Sequence, residues 1–506
     1  MKINKKYLIF PVNSKCTGKK LNFTENGKVI YSLDINYTDE TPDFYAYIDV
    51  SRFLGREIEP SLKPIKEAES YPEDIYKEDG RPQIHFTVKS GWNNDPNGLL
   101  YLNGKYHMFY QYNPAGKTWG NMHWGHAEST DLIFWEEKDV ALFPDEMGMM
   151  YSGSALIDRE NKLGFGENTP IFYYTAASKN SVQCLAYSLN CGESLIKYSG
   201  NPIVPTIKGE NRDPKVVFCP EIQAYVMALF VDEPNHFALL KSENLSDWEI
   251  FQNIDFEGDR ECPDFFPLYT DKGEKYWVFI CAHDKYVLGK IENGQFEFGE
   301  TKNMSAPSSV AYAGQTFQGI EGRSVRIVWI AAWQGGLKSS RASQQMGFPT
   351  ELFLEKVGET VYLAARPIRE IEKLFKNSFR KQNFVLTDHC QKLESGAVYL
   401  KLDAEMKEEG SLKITIFGND ISLDFKKNKL SVGSSSDKIS LSGDKVSLEI
   451  IVDTGSIEVF SDGGKICFAN YVYADYEKPY VSLKSEELKT NNLEIHDLKN
   501  IWEETK

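Results

Sequence analysis

Three acids stand in local contexts that restrict the chain around them. They are Asp95 in Trp92-Asn93-Asn94-Asp95-Pro96-Asn97-Gly98, Asp213 in Asn211-Arg212-Asp213-Pro214, and Glu261 in Arg260-Glu261-Cys262-Pro263-Asp264. A proline follows the first two directly and the third after one intervening residue. Proline fixes its own φ and pushes the residue before it towards extended backbone, so each segment holds its carboxylate on a stiffened chain. Alone, each would read as a proline turn. Their spacing says more: Asp95 to Ser152, Ser152 to Asp213, Asp213 to Glu261 and Glu261 to Tyr312 are steps of 57, 61, 48 and 51 residues. If the chain repeats a structural unit with that period, three carboxylates, one hydroxyl and one phenol meet at one place. Convergent acids with no His or Cys cluster beside them suit two chemistries. One is binding of a hard divalent cation through oxygen ligands. The other is glycoside hydrolysis, with an ionised carboxylate on one side of the scissile bond and a protonated one on the other. Short-spaced Asp-rich loops, which would favour calcium, are missing from the sequence.

The elements that must position these residues are strands. Leu99-Leu100-Tyr101-Leu102 and the run from Lys105 to Tyr110 flank Asn103-Gly104, a hairpin signal. A weak internal repeat of the form Ser-x-Asp/Asn-Leu-x-x-Trp occurs at Ser129 and Ser242, with a degenerate copy at Ser188. Together with the spacing of the acids, it predicts a β-propeller with room for five blades between residues 81 and 370. Residues 376–506 alternate apolar and polar positions between close turns, which predicts a β-sandwich. Residues 1–75 carry shorter strand-like pieces and form a β-rich N-terminal extension. The best helical pattern covers residues 366–375, a connector between the two larger regions. The expected fold class is all-β.

Composition narrows the function. A net charge of −16 repels phosphate backbones and anionic lipid surfaces, so neither nucleic acid nor membrane is an expected partner. Eight scattered cysteines show neither a disulfide framework nor paired metal-ligand spacing, and no signal-peptide core opens the chain; both predict a cytoplasmic protein. An aromatic content of 13% fits strands and also rings that stack on sugar faces.

The motif containing Asp95 resembles the signature of glycoside hydrolase family 32, the family of invertases, sucrose-6-phosphate hydrolases, inulinases and levanases. The resemblance continues in family order through Tyr110-Gln111-Tyr112-Asn113-Pro114, the segment from Trp119 to His126, Tyr151-Ser152-Gly153-Ser154, Arg212-Asp213-Pro214 and Glu261-Cys262-Pro263-Asp264. It implies a five-bladed propeller followed by a sandwich. It also implies release of terminal β-D-fructofuranosyl residues from sucrose, fructo-oligosaccharides or fructans by double displacement. Asp95 would be the nucleophile, Glu261 the acid/base and Asp213 a stabiliser of the transition state through sugar hydroxyls. Asn94, Gln111, Trp119, Ser152, Arg212, Tyr312 and Trp333 would line the fructose pocket. Asp95 should then be ionised, Glu261 should have a raised pKa, and Arg212 should help keep Asp213 charged. His123 and His126 read as structural or pocket-rim residues. No metal or organic cofactor is implied, the partner is a small carbohydrate, and a homo-oligomer stays open. A fructosyltransferase using the same intermediate and a non-catalytic fructan-binding propeller are the alternatives. Departures from the family pattern around residues 310–317, at Ser194-Leu195 and at Thr350 leave the linkage preference open.

Overall fold

A computed structural model describes residues 1–506 except 233–235, 257, 334–335, 406–409, 434, 439–444 and 504–506. The protein is all-β. Among the described residues the helical content is three short 3-10 turns, Ser51–Phe53, Arg369–Leu374 and Asp462–Gly464. The connector expected to be helical over 366–375 is narrower: the preceding strand runs on to Pro367, and one 3-10 segment buries Ile371 and Leu374.

From Trp92 to Pro367 the chain builds five successive antiparallel sheets of four or five strands. Their first strands are Trp92–Leu102, Met149–Asp158, Arg212–Cys219, Asp264–Tyr269 and Ala311–Thr316. Each of these contacts the next, and the fifth contacts the first. Apolar layers fill the spaces between neighbours. Phe109, Trp124, Phe172 and Tyr174 pack between the first and second sheets. Leu156, Tyr173, Val216 and Met227 join the second to the third, and Phe230, Phe237, Phe265 and Phe279 the third to the fourth. Gly98, with φ 52°, is required by this packing: a Cβ there would lie 3.0–3.2 Å from Phe109, Trp124 and Phe172.

The hairpin expected at Asn103-Gly104 forms, with φ of 51° and 80° at the two turn residues, as a type I′ turn needs. The sequence repeat is a repeated turn. Ser129, Ser188 and Ser242 each bond a side-chain oxygen of the residue two places on, Asp131, Asn190 and Asn244. The next residue, Leu132, Cys191 or Leu245, has positive φ. In the two full copies the indole NH of Trp135 or Trp248 donates to the carbonyl of that leucine, at 3.0 and 3.2 Å.

Two long strands, Phe375–Lys392 and Tyr480–Leu498, organise the C-terminal region. The second pairs Ser411–Ile416 along its first part and Val398–Glu405 along its last, so it belongs to two groups of strands in turn. Aliphatic side chains such as Leu400, Ile414, Ile450 and Val459 fill the space they enclose. This region is tied to the sheets by His85, whose ring nitrogens meet Asp453 at 2.8 Å and Glu458 at 2.6 Å. At the other end, Tyr7–Val12 and Lys19–Glu25 are the central strands of two three-stranded sheets around a core of Phe10, Phe23, Leu33 and Ile48.

Candidate active site

The predicted site residues converge where the first strands break their regular pairing. In the first sheet the register jumps between Asn93 and Pro96, leaving Asn94 and Asp95 bulged opposite Gln111. In the second it jumps across Ser152, in the third across Asp213 and Pro214, and in the fifth just after Tyr312. In the fourth sheet Glu261 and Cys262, at φ 54° and 44°, precede the first strand. A bulge re-aims a side chain that a regular strand would direct along the pleat. Four such breaks, and the left-handed lead-in to the fourth sheet, direct Asp95, Ser152, Asp213, Glu261 and Tyr312 to one place.

The groups interlock. Ser152 Oγ donates to Asp95 Oδ2 at 2.6 Å. The Cys262 thiol lies 3.6 Å from that oxygen and 3.5 Å from Asp213 Oδ2, and the Cys262 backbone NH donates to Asp213 Oδ2 at 3.1 Å. Arg212 Nη2 donates to Glu261 Oε1 at 2.6 Å, and the Tyr312 hydroxyl donates to Glu261 Oε2. Asn94 bonds Asp95 and accepts the indole NH of Trp92 at 2.9 Å. Gln111 is buried behind the bulge, with its amide NH on the Met150 carbonyl at 2.9 Å. Trp119 and Trp333 are farther out, 45% and 61% exposed. Trp119 meets Tyr151 edge-on and Trp333 meets Tyr312 edge-on. The ten predicted residues therefore form a centre, a buried backing and an aromatic rim.

The electrostatics depart from expectation in three ways. Burial pushes the Asp95 carboxyl up, against hydrogen bonds from Ser152 and Asn94. Burial also acts to raise Glu261, but the Tyr312 hydroxyl and the Arg212 guanidinium outweigh it and hold the carboxyl below its usual range. The Arg212 guanidinium acts to keep Asp213, its neighbour in sequence, charged, as expected, but burial outweighs it. Its Nε is 3.9 Å from Asp213 Oδ2, while its Nη2 reaches across to Glu261. Asp213, buried and flanked by Glu261 and Asp95, is pushed up to about 7.

Several contributors had no assigned role in the sequence reading. Thr175 accepts the Asp213 backbone NH at 3.0 Å and donates to Gln183 at 2.7 Å. Beneath the acids, buried Lys215 pairs with Asp264 at 2.8 Å, and Asp264 accepts the Thr316 NH at 2.6 Å, joining the third, fourth and fifth sheets. Among the described residues, one group of potential metal ligands stands towards the turn end of the first hairpin: His107 Nδ1 and His126 Nε2 at 3.1 Å, with Glu128 beside them. Lys105 holds Glu128 Oε2 at 2.9 Å, and His126 stacks on Phe109, so these residues make a polar, packed cluster apart from the acids. His123, buried, bonds Tyr31 through Nε2 at 2.7 Å, a structural position as expected.

Comparison with known proteins places the chain in a family. The family described as glycosyl hydrolases family 32, N-terminal domain, matches residues 85–367, and its C-terminal counterpart matches residues 370–498. The chain belongs to glycosyl hydrolase family 32. It is similar to a levanase of Bacillus subtilis, 34% identical over 373 residues, covering 67% of this chain and 55% of that one. It is also similar to an extracellular exo-inulinase of Aspergillus awamori, 32% identical over 58% of this chain and 65% of the relative. The chain thus spans between about half and two thirds of the length of these curated relatives. A fructofuranosidase of Schwanniomyces occidentalis, solved with fructose bound, shares the fold: TM-score 0.75, 23% identity, 85% of this chain and 100% of that one.

Proposed function

We propose that this chain is a retaining, exo-acting β-fructofuranosidase, taking terminal fructose from sucrose, fructo-oligosaccharides or fructans. The reading includes its architecture: a five-bladed propeller over residues 81–370 as catalytic domain, a β-sandwich over 376–506, and an N-terminal β-domain over 1–75. The observation that carries it is the convergence of Asp95, Asp213 and Glu261, from three different sheets, with Arg212 and Tyr312 bridging to the acid/base candidate. The names of the similar levanase, exo-inulinase and fructofuranosidase support the sugar.

In this mechanism Asp95 attacks the anomeric carbon and forms a covalent fructosyl intermediate. Ser152 and Asn94 steady the attacking carboxylate against the cost of burial. Glu261 protonates the leaving oxygen, then deprotonates the water that resolves the intermediate. Asp213 takes hydrogen bonds from ring hydroxyls that strengthen as the oxocarbenium character grows. Arg212 and Tyr312 favour the ionised form of Glu261, so a sugar hydroxyl that draws Arg212 away from Oε1 favours its acid form. The experiment is fructose release from sucrose, sucrose 6-phosphate, kestose, inulin and levan by the purified protein, with Glu261→Gln as control. Release that disappears in the variant is expected. No release from any member of the panel refutes the reading.

A further inference from the structure

The rim residue Trp119 lies in the stretch between strands Lys105–Asn113 and His123–Ser129. That stretch is tied to itself and to the N-terminal region. Asn113 Nδ2 donates to the Thr118 carbonyl at 2.8 Å, and Asn113 Oδ1 accepts the Ala115 NH and the Asn121 amide, both at 3.0 Å. Asn121 then pairs with the backbone of Asp34 in strand Lys28–Ile35. Its Oδ1 accepts the Asp34 NH and its Nδ2 donates to the Asp34 carbonyl, both at 2.8 Å. Ala115 is buried in the apolar core of the N-terminal region, beside Phe143. One strand position farther along, His123 Nδ1 bonds the Asn121 carbonyl, which can only accept. The ring proton is therefore on Nδ1, and Nε2 accepts the Tyr31 hydroxyl at 2.7 Å. Tyr31 is held from its other side by the Arg52 guanidinium, 4.3 Å from the ring.

By contrast, the Trp119 ring is 45% exposed and its ring partner is the edge of Tyr151. Little in its own packing fixes it. Its place is set by Asn121, two residues on, and by Ala115, four residues back, and both answer to the N-terminal region. We infer that the N-terminal region is a positioning element of the active site: through the Asp34 backbone on Asn121 and Tyr31 on His123, it holds Trp119 at the rim where the substrate sugar enters. This rests on the proposed fructosidase reading for its substrate but not for its geometry. Asn121 and Tyr31 are positioning residues and touch no reacting atom.

The test compares wild type, Asn121→Ala, Tyr31→Phe and Arg56→Ala. Arg56 serves as control because it pairs with Glu25 inside the same region and reaches Tyr31 only indirectly, through Phe53 and the Arg52 carbonyl. Two readouts are taken: kcat and KM for fructose release from sucrose, and acrylamide quenching of Trp119. Quenching is read in a Trp333→Phe background, which removes the other strongly exposed indole. If the loop is competent only about a tenth of the time once Asn121 loses its partners, KM rises about tenfold while kcat changes little. Quenching of Trp119 rises with it, Tyr31→Phe moves both readouts less and in the same direction, and Arg56→Ala moves neither. Unchanged KM and unchanged quenching in a folded Asn121→Ala overturn the inference, as does a fall in kcat alone. If Asn121→Ala fails to fold, Tyr31→Phe decides by the same criteria. If wild type releases no fructose, the functional reading fails, and quenching alone decides the positioning role: increased exposure of Trp119 supports it and no change refutes it.

Discussion

Replacing Tyr312 by Phe isolates one of the two groups that hold Glu261 ionised. The hydroxyl donates to Glu261 Oε2, a bond that favours the carboxylate, so its loss makes Glu261 easier to protonate. A hydrogen bond to a charged group contributes roughly 1.5–3 kcal/mol. The low end applies, because Arg212 stays on Oε1 at 2.6 Å and the Glu261 side chain is 20% exposed, so water partly replaces the phenol. About 1.4 kcal/mol corresponds to a tenfold gain in proton affinity. The assay is kcat/KM for fructose release against pH, which reports the free enzyme. Its alkaline limb, where the acid loses its proton, moves to higher pH in Tyr312→Phe. Activity at a fixed pH on that limb rises about tenfold relative to the variant's own maximum. The acid limb moves slightly the other way, because a neutral Glu261 repels ionised Asp95 less. The maximum is free to fall, since the phenol also lines the pocket; limb position is what counts, and it belongs to the coupled acids together. An alkaline limb that stays put or moves down refutes the assignment of Glu261 as the acid, or the hydrogen bond itself.

Asp95→Asn lowers kcat/KM by more than about 10³-fold, while its melting temperature stays equal or rises, because a buried charge beside Glu261 and Asp213 is removed; a lower Tm with activity retained is the contrary result. Lys215→Met strands Asp264 without its partner and destabilises the fold by on the order of 3–5 kcal/mol, measured by urea denaturation. His85 gives a pH signature. Burial pushes its pKa down, but Glu458 and Asp453 outweigh this and raise it to about 9 from 6.5. A raised folded-state pKa gives stability that is full below pH 6.5 and is lost as pH climbs through 9. The Tm difference between wild type and His85→Gln is therefore largest at or below pH 6.5 and shrinks towards pH 9; a constant difference shows that His85 is not charged in the folded protein.

Much of this site could be read from the chain because its period is written in local motifs. The Ser-x-Asp/Asn turn recurs since each copy needs only its own few residues to close, as the bonds from Ser129, Ser188 and Ser242 show. The acids were legible through their prolines and their spacing. What was not legible depends on partners far away in sequence. Arg212 sits next to Asp213 in the chain yet spends its hydrogen bond on Glu261, 49 residues on, and so holds that carboxyl below its usual range, while burial raises Asp213 against the pull of the same guanidinium. Lys215 and Asp264 have no local mark as a pair, because only the approach of neighbouring sheets brings them together. The short 3-10 connector was overcalled for a different reason. Its apolar spacing fits a helix, but Pro367 and the strand pairing that ends there confine it to Arg369–Leu374.

The prolines also explain why these acids sit on irregular backbone. A proline inside a paired strand removes a donor from the ladder, so it is tolerated at a bulge or an edge. Pro96 and Pro214 stand at register jumps in their strands. The bulge turns Asp95 and Asp213 off the pleat, at a backbone cost visible at Asp213, whose φ of 65° is not the extended geometry expected before a proline. Aspartate tolerates that region better than most residues, but Glu261, Cys262 and Ala313 at φ 54°, 44° and 53° do not adopt it readily. Left-handed residues on or just before three neighbouring first strands persist only if surrounding bonds over-determine them. Here they do: Thr175 holds the Asp213 NH, Asp213 holds the Cys262 NH, and Asp264 holds the Thr316 NH beyond Ala313. One of those bonds uses an acid of the site as its acceptor. Asp213 is thus both a proposed ligand for sugar hydroxyls and a brace for the backbone that presents Glu261. Asp213→Ala should therefore disturb the pH profile set by Glu261 as well as the rate, whereas a residue that only binds sugar would change the rate and leave the profile in place.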